Sequence, residues 1–395
     1  MERVAIVASA RTPIGKFLGS FADLPAAALG TVVTRALLTR SGFAPADVDL
    51  LIYGCARQAG GGPNPARQIL IASGIPEERT AYTLNQACAS GIAAILHAAD
   101  QIRLGRARVV LAGGAENMTR VPYYLDRARL GYRLGNAPLV DGMYRDGFLD
   151  PICGMVMGET AEKLADLYSI GRAEQDEFAL ESQRRAGEAA REGRFSREIV
   201  PVTVAGRKGE TVVSSDEHPR PDTTLADLAK LPAVFRQGGT VHAGNSSGIT
   251  DGAASLLVVA ESVVKERGLV PQAWLGESAL VGVDPSIMGI GPVPAVKEVL
   301  RKTGRSLDAY ELVELNEAFA AQVLACDREL RFDRKRLNVN GGAIALGHPI
   351  GCTGARIVTT LLYEMERRQA RLGLATLCVS GGLGVALELD RNGVS

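Results

Sequence analysis

Leu38-Thr-Arg-Ser-Gly42 leads, after a seven-residue step, into Asp49-Leu-Leu-Ile-Tyr-Gly54, and Leu300-Arg-Lys-Thr-Gly304 leads by the same step into Glu311-Leu-Val-Glu-Leu-Asn316. Each copy reads as a helix end, a glycine stop and a short buried strand, at a constant offset of 262 residues. Outward from the first copy, Val4 to Ala8 reads as a strand. Leu29, Val32, Val33, Ala36 and Leu37 mark one face of a helix. A strand near Thr80 to Leu84 runs into Asn85-Gln-Ala-Cys88. A helix follows with Ile92, Ile95, Leu96, Ala99 and Ile102 on one face, and then a buried strand from Val109 to Gly114. Outward from the second copy, the loop around Ile350 to Cys352 answers the loop before the Cys88 helix. Leu377 to Gly382 is aligned with Val109 to Gly114, each read as a strand ending in Gly-Gly. The alternation predicts an α/β fold with a mostly parallel sheet. Two copies related by a pseudo-twofold bring equivalent strand-to-helix loops face to face, so an active site is expected between them.

The texture changes from about 119 to 245, where Arg, Asp, Tyr and Pro rise and residues 172–193 read as a polar, charged helix. We expect a loop domain inserted over 119–245. One core half then comprises 1–118 with 246–268, and the second comprises 269–395. The 44 basic and 44 acidic residues cancel, which gives no electrostatic footprint for nucleic acid or an anionic membrane. No apolar run is long enough to span a bilayer. The start, MERVAIVASARTP, and the end, NGVS, carry no targeting pattern, so a cytoplasmic protein is expected. The six cysteines have no CxxC spacing, which argues against a disulfide framework and against a zinc site.

Cys88 lies in Asn-Gln-Ala-Cys-Ala-Ser-Gly at the expected start of a helix, where unpaired N–H groups and the helix dipole predict a depressed thiol pKa. It reads either as a nucleophile or as a buried packing cysteine. His348, framed by Gly347, Pro349 and Gly351 on the equivalent loop, is a candidate to activate a thiol or hold an oxyanion. His97, His218 and His242 read as structural or surface residues, and Cys55, Cys153, Cys326 and Cys352 as structural. Cys378 ends a strand and is a second thiol or a core cysteine. Asn316 reads as a helix cap or a polar positioning group. The glycine-rich loops lack the dinucleotide-binding pattern.

Six stretches, in this order, resemble the thiolases, and the resemblance covers residues 1–395. They are Asn85-Gln-Ala-Cys88-Ala-Ser-Gly91, Gly244-Asn-Ser-Ser-Gly248-Ile-Thr-Asp-Gly252, Met288-Gly-Ile-Gly-Pro-Val-Pro294, Asn316-Glu-Ala-Phe319, Gly347-His-Pro-Ile-Gly351 and Cys378 with its following glycines. The resemblance implies two βαβαβαββ halves stacked in five layers (αβαβα), with a loop domain inserted in the first. It implies a CoA-dependent acyltransferase that condenses two acetyl-CoA or cleaves a 3-oxoacyl-CoA through an acyl-Cys88 intermediate. In that reading His348 activates Cys88 and, with a water held by Asn316, stabilises the enolate. Cys378 is the acid/base thiol, and the N–H groups of Cys88 and Ser380 hold the tetrahedral intermediate. Arg220 and Ser247 contact CoA, and Met157, Met288, Ala318 and Phe319 line the pantetheine tunnel and acyl pocket. No metal and no cofactor beyond CoA as substrate are implied, and the assembly is expected to be a homodimer or homotetramer. Ser380 stands where the family usually has glycine, and Val156 where biosynthetic members carry histidine. Both leave the subtype open between an acetoacetyl-CoA enzyme and a broad-chain degradative one. A ketoacyl-synthase type enzyme and a non-catalytic acyl-CoA binder are the rival readings.

Overall fold

The computed structural model describes residues 2–206 and 209–393; Val394 and Ser395, part of the NGVS end, lie outside the described residues. The first half builds five strands in the order 80–84, 50–54, 109–117, 250–260, 4–11. The second adds 312–315, 372–379, 383–390 and 273–282. Among the described residues the two half-sheets pair edge to edge only where Ala5 faces Trp274 and Ile6 faces Ala273. Helices Ser90–Arg103 and Ile350–Arg368 lie together between them. Ala26–Ser41 and Pro65–Ala72 cover the outer face of the first, and Pro292–Thr303 and Ala320–Leu330 that of the second. The result is five layers, αβαβα.

The central helices cross backbone to backbone. A Cβ on Gly91 would sit 2.6 Å from the Ala355 nitrogen, and one on Gly354 would sit 2.4 Å from the Ile92 nitrogen. Only glycine at both positions permits this approach. Helix Ile350–Arg368 is buried almost all round, which explains why it carries Thr353, Arg356, Thr359 and Thr360 inside the molecule.

Two expectations are corrected. The sheets are mixed, not mostly parallel. Strand 50–54 runs parallel to 80–84 and 109–117, and 312–315 runs parallel to 372–379. Strand 250–260 is antiparallel to both its long neighbours, and 383–390 likewise. The reason is that 383–390 returns through a tight turn with no helical crossover, which forces the antiparallel sense. The Gly-Gly alignment is also wrong by five residues. Val110 pairs with Leu50 and Gly373 with the equivalent Leu312, so Gly114 corresponds to Leu377 and Ala115 to Cys378. Gly381 and Gly382 instead form the turn, both at positive φ.

Candidate active site

The nucleophile loop is built around a strained alanine. Ala87 has φ +44°, in the left-handed region that alanine rarely adopts. Its N–H donates to Asn85 Oδ1 (3.0 Å), and its carbonyl accepts from Ser90 Oγ (2.7 Å). That turn sets Cys88 two residues ahead of helix Ser90–Arg103. On the opposite half, His348 follows Gly347 (φ +98°) and precedes helix Ile350–Arg368. The structure brings the two together: His348 Nε2 lies 3.4 Å from Cys88 Sγ.

The hydrogen-bond network fixes how that imidazole is held. Thr353 Oγ1 donates to the Pro349 carbonyl (3.0 Å) and lies 2.6 Å from His348 Nδ1. When its single hydrogen is on Pro349, the hydroxyl accepts from Nδ1–H. Nε2 then presents a lone pair to the thiol. The hydroxyl can also turn and donate to Nδ1, which makes the other tautomer available. Burial, and then the Arg356 and Arg57 guanidinium charges, push the imidazolium pKa down to about 3. The resting ring is therefore neutral.

The expected depression of the Cys88 pKa does not occur. Cys88 is half-buried as a residue, but the enclosure of its sulfur raises the thiol. This outweighs the Ser380 N–H, Arg57 and its own N–H, which pull the other way. The resting pair is thus thiol and imidazole, not thiolate and imidazolium. The Ser380 and Cys88 N–H groups both bear on the sulfur.

Cys378 is buried within electrostatic reach of Cys88. Burial first, then Cys88, hold its thiol well above the ordinary value. It shares one apolar cluster with Met288, Ala318 and Phe319, against which Met157 and Phe235 pack. The four expected pocket residues are therefore assembled beside the second thiol. Ser247 joins them because its N–H donates to the Ala318 carbonyl (2.9 Å) while Ala320 N–H donates to Asn245 (2.9 Å). Arg220 lies on the surface and its charge reaches His218. Asn316 is buried, and neither end of its side-chain amide has a partner among the described residues. A buried amide in that state is poised to bind a water or a substrate oxygen.

His218 is nearer the site than its proline-rich surroundings suggest. Its Nδ1 lies 2.8 Å from the Ala345 carbonyl, and its ring covers Gly248, whose carbonyl accepts the His348 N–H (3.0 Å). His242 is structural as expected, bonded to Asp176 (2.7 Å), and His97 is exposed.

Four residues escaped the sequence reading. Thr353 orients His348. Glu116, fully buried, accepts N–H bonds from Ala56 (3.0 Å), Arg57 (3.0 Å) and Gly351 (2.8 Å), and so ties the first half to the helix that follows His348. Asp150 accepts from Gly381 N–H (2.9 Å) in the turn that presents Ser380. The Arg57 charge acts on both Cys88 and His348. Only Glu116 had a local signal, as an acid at the end of a hydrophobic strand.

The thiolase N-terminal domain family matches residues 4–262 and the thiolase C-terminal domain family matches 269–391. An acetyl-CoA acetyltransferase of Paracoccus denitrificans is 49% identical over 391 residues, covering 99% of this chain and 100% of the relative. The solved acetyl-CoA acetyltransferase of Bacillus anthracis superposes with a TM-score of 0.97 at 46% identity, covering 99% of each chain. Human mitochondrial 3-ketoacyl-CoA thiolase in complex with CoA superposes at 0.95 and 40% identity, covering 98% of each. Motif order, five-layer fold and facing thiols agree with these likenesses: the chain belongs to the thiolase family.

Proposed function

We propose that the protein is an acetyl-CoA acetyltransferase, exchanging acyl groups between CoA and Cys88 and making or cleaving the carbon–carbon bond of a short 3-oxoacyl-CoA. The observation that carries this reading is the neutral His348 at 3.4 Å from Cys88 with the high-pKa Cys378 alongside.

In cleavage, His348 Nε2 takes the Cys88 proton as sulfur attacks the 3-oxo carbon, and the oxyanion meets the Cys88 and Ser380 N–H groups. The C2–C3 bond then breaks. Its electron pair goes to the departing acetyl-CoA as an enolate, which the Asn316 side is suited to stabilise through a water. Cys378, protonated because its pKa is high, gives that carbon its proton. A free CoA thiol gives its proton to the Cys378 thiolate as its sulfur attacks acyl-Cys88, and His348 returns the stored proton to the departing Cys88 sulfur. Condensation runs the same steps backwards. Storing the acyl group on one thiol implies ping-pong kinetics.

The same reading takes Arg220 and Ser247 as CoA contacts, and Met157, Met288, Ala318 and Phe319 as pocket lining. It takes 119–245 as an inserted loop domain between 1–118 and 246–268, with 269–395 as the other core half. It also includes a cytoplasmic homodimer or homotetramer. Leu130 and Leu134, 81% and 100% exposed, support an assembly surface on the insert. Among the described residues no helix is long and apolar enough to cross a membrane.

The test is thiolysis of acetoacetyl-CoA with free CoA varied, using Cys88→Ala as control. Parallel double-reciprocal lines and loss of turnover by at least about 10³-fold in the variant are expected. Acyl-CoA binding without acylation of Cys88 would leave only the binder reading. Malonyl-thioester decarboxylation would favour a synthase.

A further inference from the structure

Arg57 has no part in the chemistry above, yet it joins two pieces of the site. Its backbone N–H is fixed on Glu116, and the neighbouring Ala56 carbonyl holds Asn85 of the nucleophile loop (3.2 Å). Its guanidinium donates to the Gly147 carbonyl (3.1 Å) and, through the other terminal nitrogen, to that same Ala56 carbonyl (3.5 Å). The plane lies flat on Gly147, so that a Cβ there would sit 3.0 Å from Nε and 3.4 Å from a terminal nitrogen. Nε is enclosed and has no partner among the described residues. The fork therefore spans two carbonyls, Gly147 and Ala56, the second of which also accepts from Asn85.

Gly147 belongs to a π-helical turn, Tyr144–Phe148, flanked by Met143 and closed by Leu149 N–H on the Tyr144 carbonyl (2.9 Å). Single π turns are rare and are frequent at functional sites. Met143 is buried in a small apolar cluster with Ala56, Met118 and Ile350. Phe148, Ile249 and Cys88 itself pack against that cluster. This is a second apolar wall at the nucleophile, distinct from the Met288 and Phe319 cluster beside Cys378. Its position depends on where the turn is held.

Resting on the thiolase reading, we propose that Arg57 is a positioning residue that sets acyl-chain length: by clamping the Gly147 carbonyl it fixes the turn bearing Phe148 beside Cys88 and closes the acyl subsite to all but short acyl groups. The guanidinium suits this task because its planar fork holds a carbonyl in one orientation, which an ammonium cannot. Its charge also bears on Cys88 and His348, so the side chain serves geometry and electrostatics at once.

The experiment compares kcat/KM for thiolysis of acetoacetyl-CoA and 3-oxooctanoyl-CoA in wild type, Arg57→Met, Arg57→Lys, Phe148→Ala and the Arg57→Met/Phe148→Ala double variant. Arg57→Met is expected to shift the ratio toward the longer substrate by about tenfold or more, since an extra methylene in a pocket is worth about 10–200-fold. Phe148→Ala should shift it in the same direction, and the double variant should add little, because both act through one turn. Arg57→Lys should keep the wild-type pH profile for Cys88 alkylation by iodoacetamide, yet show the shifted ratio. An unchanged ratio in Arg57→Met, or fully additive shifts in the double variant, overturns the proposal. If wild type shows no Cys88-dependent turnover of either substrate, the thiolase reading falls and the proposal with it. Wild-type activity with an unmoved ratio sinks the proposal alone.

Discussion

The two halves differ most in how one pair of strands is joined. In the second half, 372–379 returns as 383–390 through Ser380, Gly381 and Gly382. In the first, the equivalent strands 109–117 and 250–260 are joined by residues 118–249. The short turn does one thing: it presents a backbone N–H to Cys88. The long connection supplies walls, namely Met143 and Phe148 on one side and Met157 and Phe235 on the other. It also steadies the short turn, because Asp150 holds Gly381. A duplicated scaffold has thus kept rigid donors in one copy and grown pocket lining in the other, consistent with function living on connections placed by a fixed framework.

The sharpest way to break this comparison is at the strand that feeds the short turn. Cys378→Ala should leave acylation of Cys88 intact while carbon–carbon exchange falls by about 10³-fold, within the range for losing a general acid–base group. Mass spectrometry of acyl-enzyme beside steady-state rates reads both. Equal loss of the two, in a folded variant, means that the thiols do not divide the work as described. Next comes the link between the connections. Asp150→Ala removes the acceptor for Gly381 and should slow acylation by about 10- to 100-fold, less than outright loss of an oxyanion donor, which costs about 10²–10³. Rapid-quench acylation with an unchanged rate would show that the turn needs no brace. Smallest is Ser380→Gly, which keeps the N–H; kcat/KM should change by less than about threefold. A larger drop would give the Ser380 hydroxyl a role of its own.

The repeat, most strands and the Cys88, His348 and Cys378 set were legible because each is a local pattern: a glycine stop, an apolar run, a short motif. The Gly-Gly alignment failed because two similar dipeptides do different jobs, and only strand pairing tells Gly114 from Gly382. The direction of the Cys88 pKa failed for a related reason. A helix start is visible in sequence, whereas the enclosure of its sulfur comes from residues distant in the chain, Met118 and Met143 as well as His348 and Ile350. Thr353, Asp150 and Arg57 act on backbone groups or ring nitrogens through contacts that no periodicity announces. Of these, the Arg57 and Asp150 contacts bridge 90 and 231 positions.

The glycine crossing of the two central helices has a consequence for how the molecule comes into being. Cys88 and His348 are 260 positions apart in the chain and meet only where Gly91 and Gly354 let the helix backbones touch. During synthesis Cys88 emerges long before His348. On the proposed mechanism, recovery of activity on refolding is expected to time the closing of the two halves and not the formation of either.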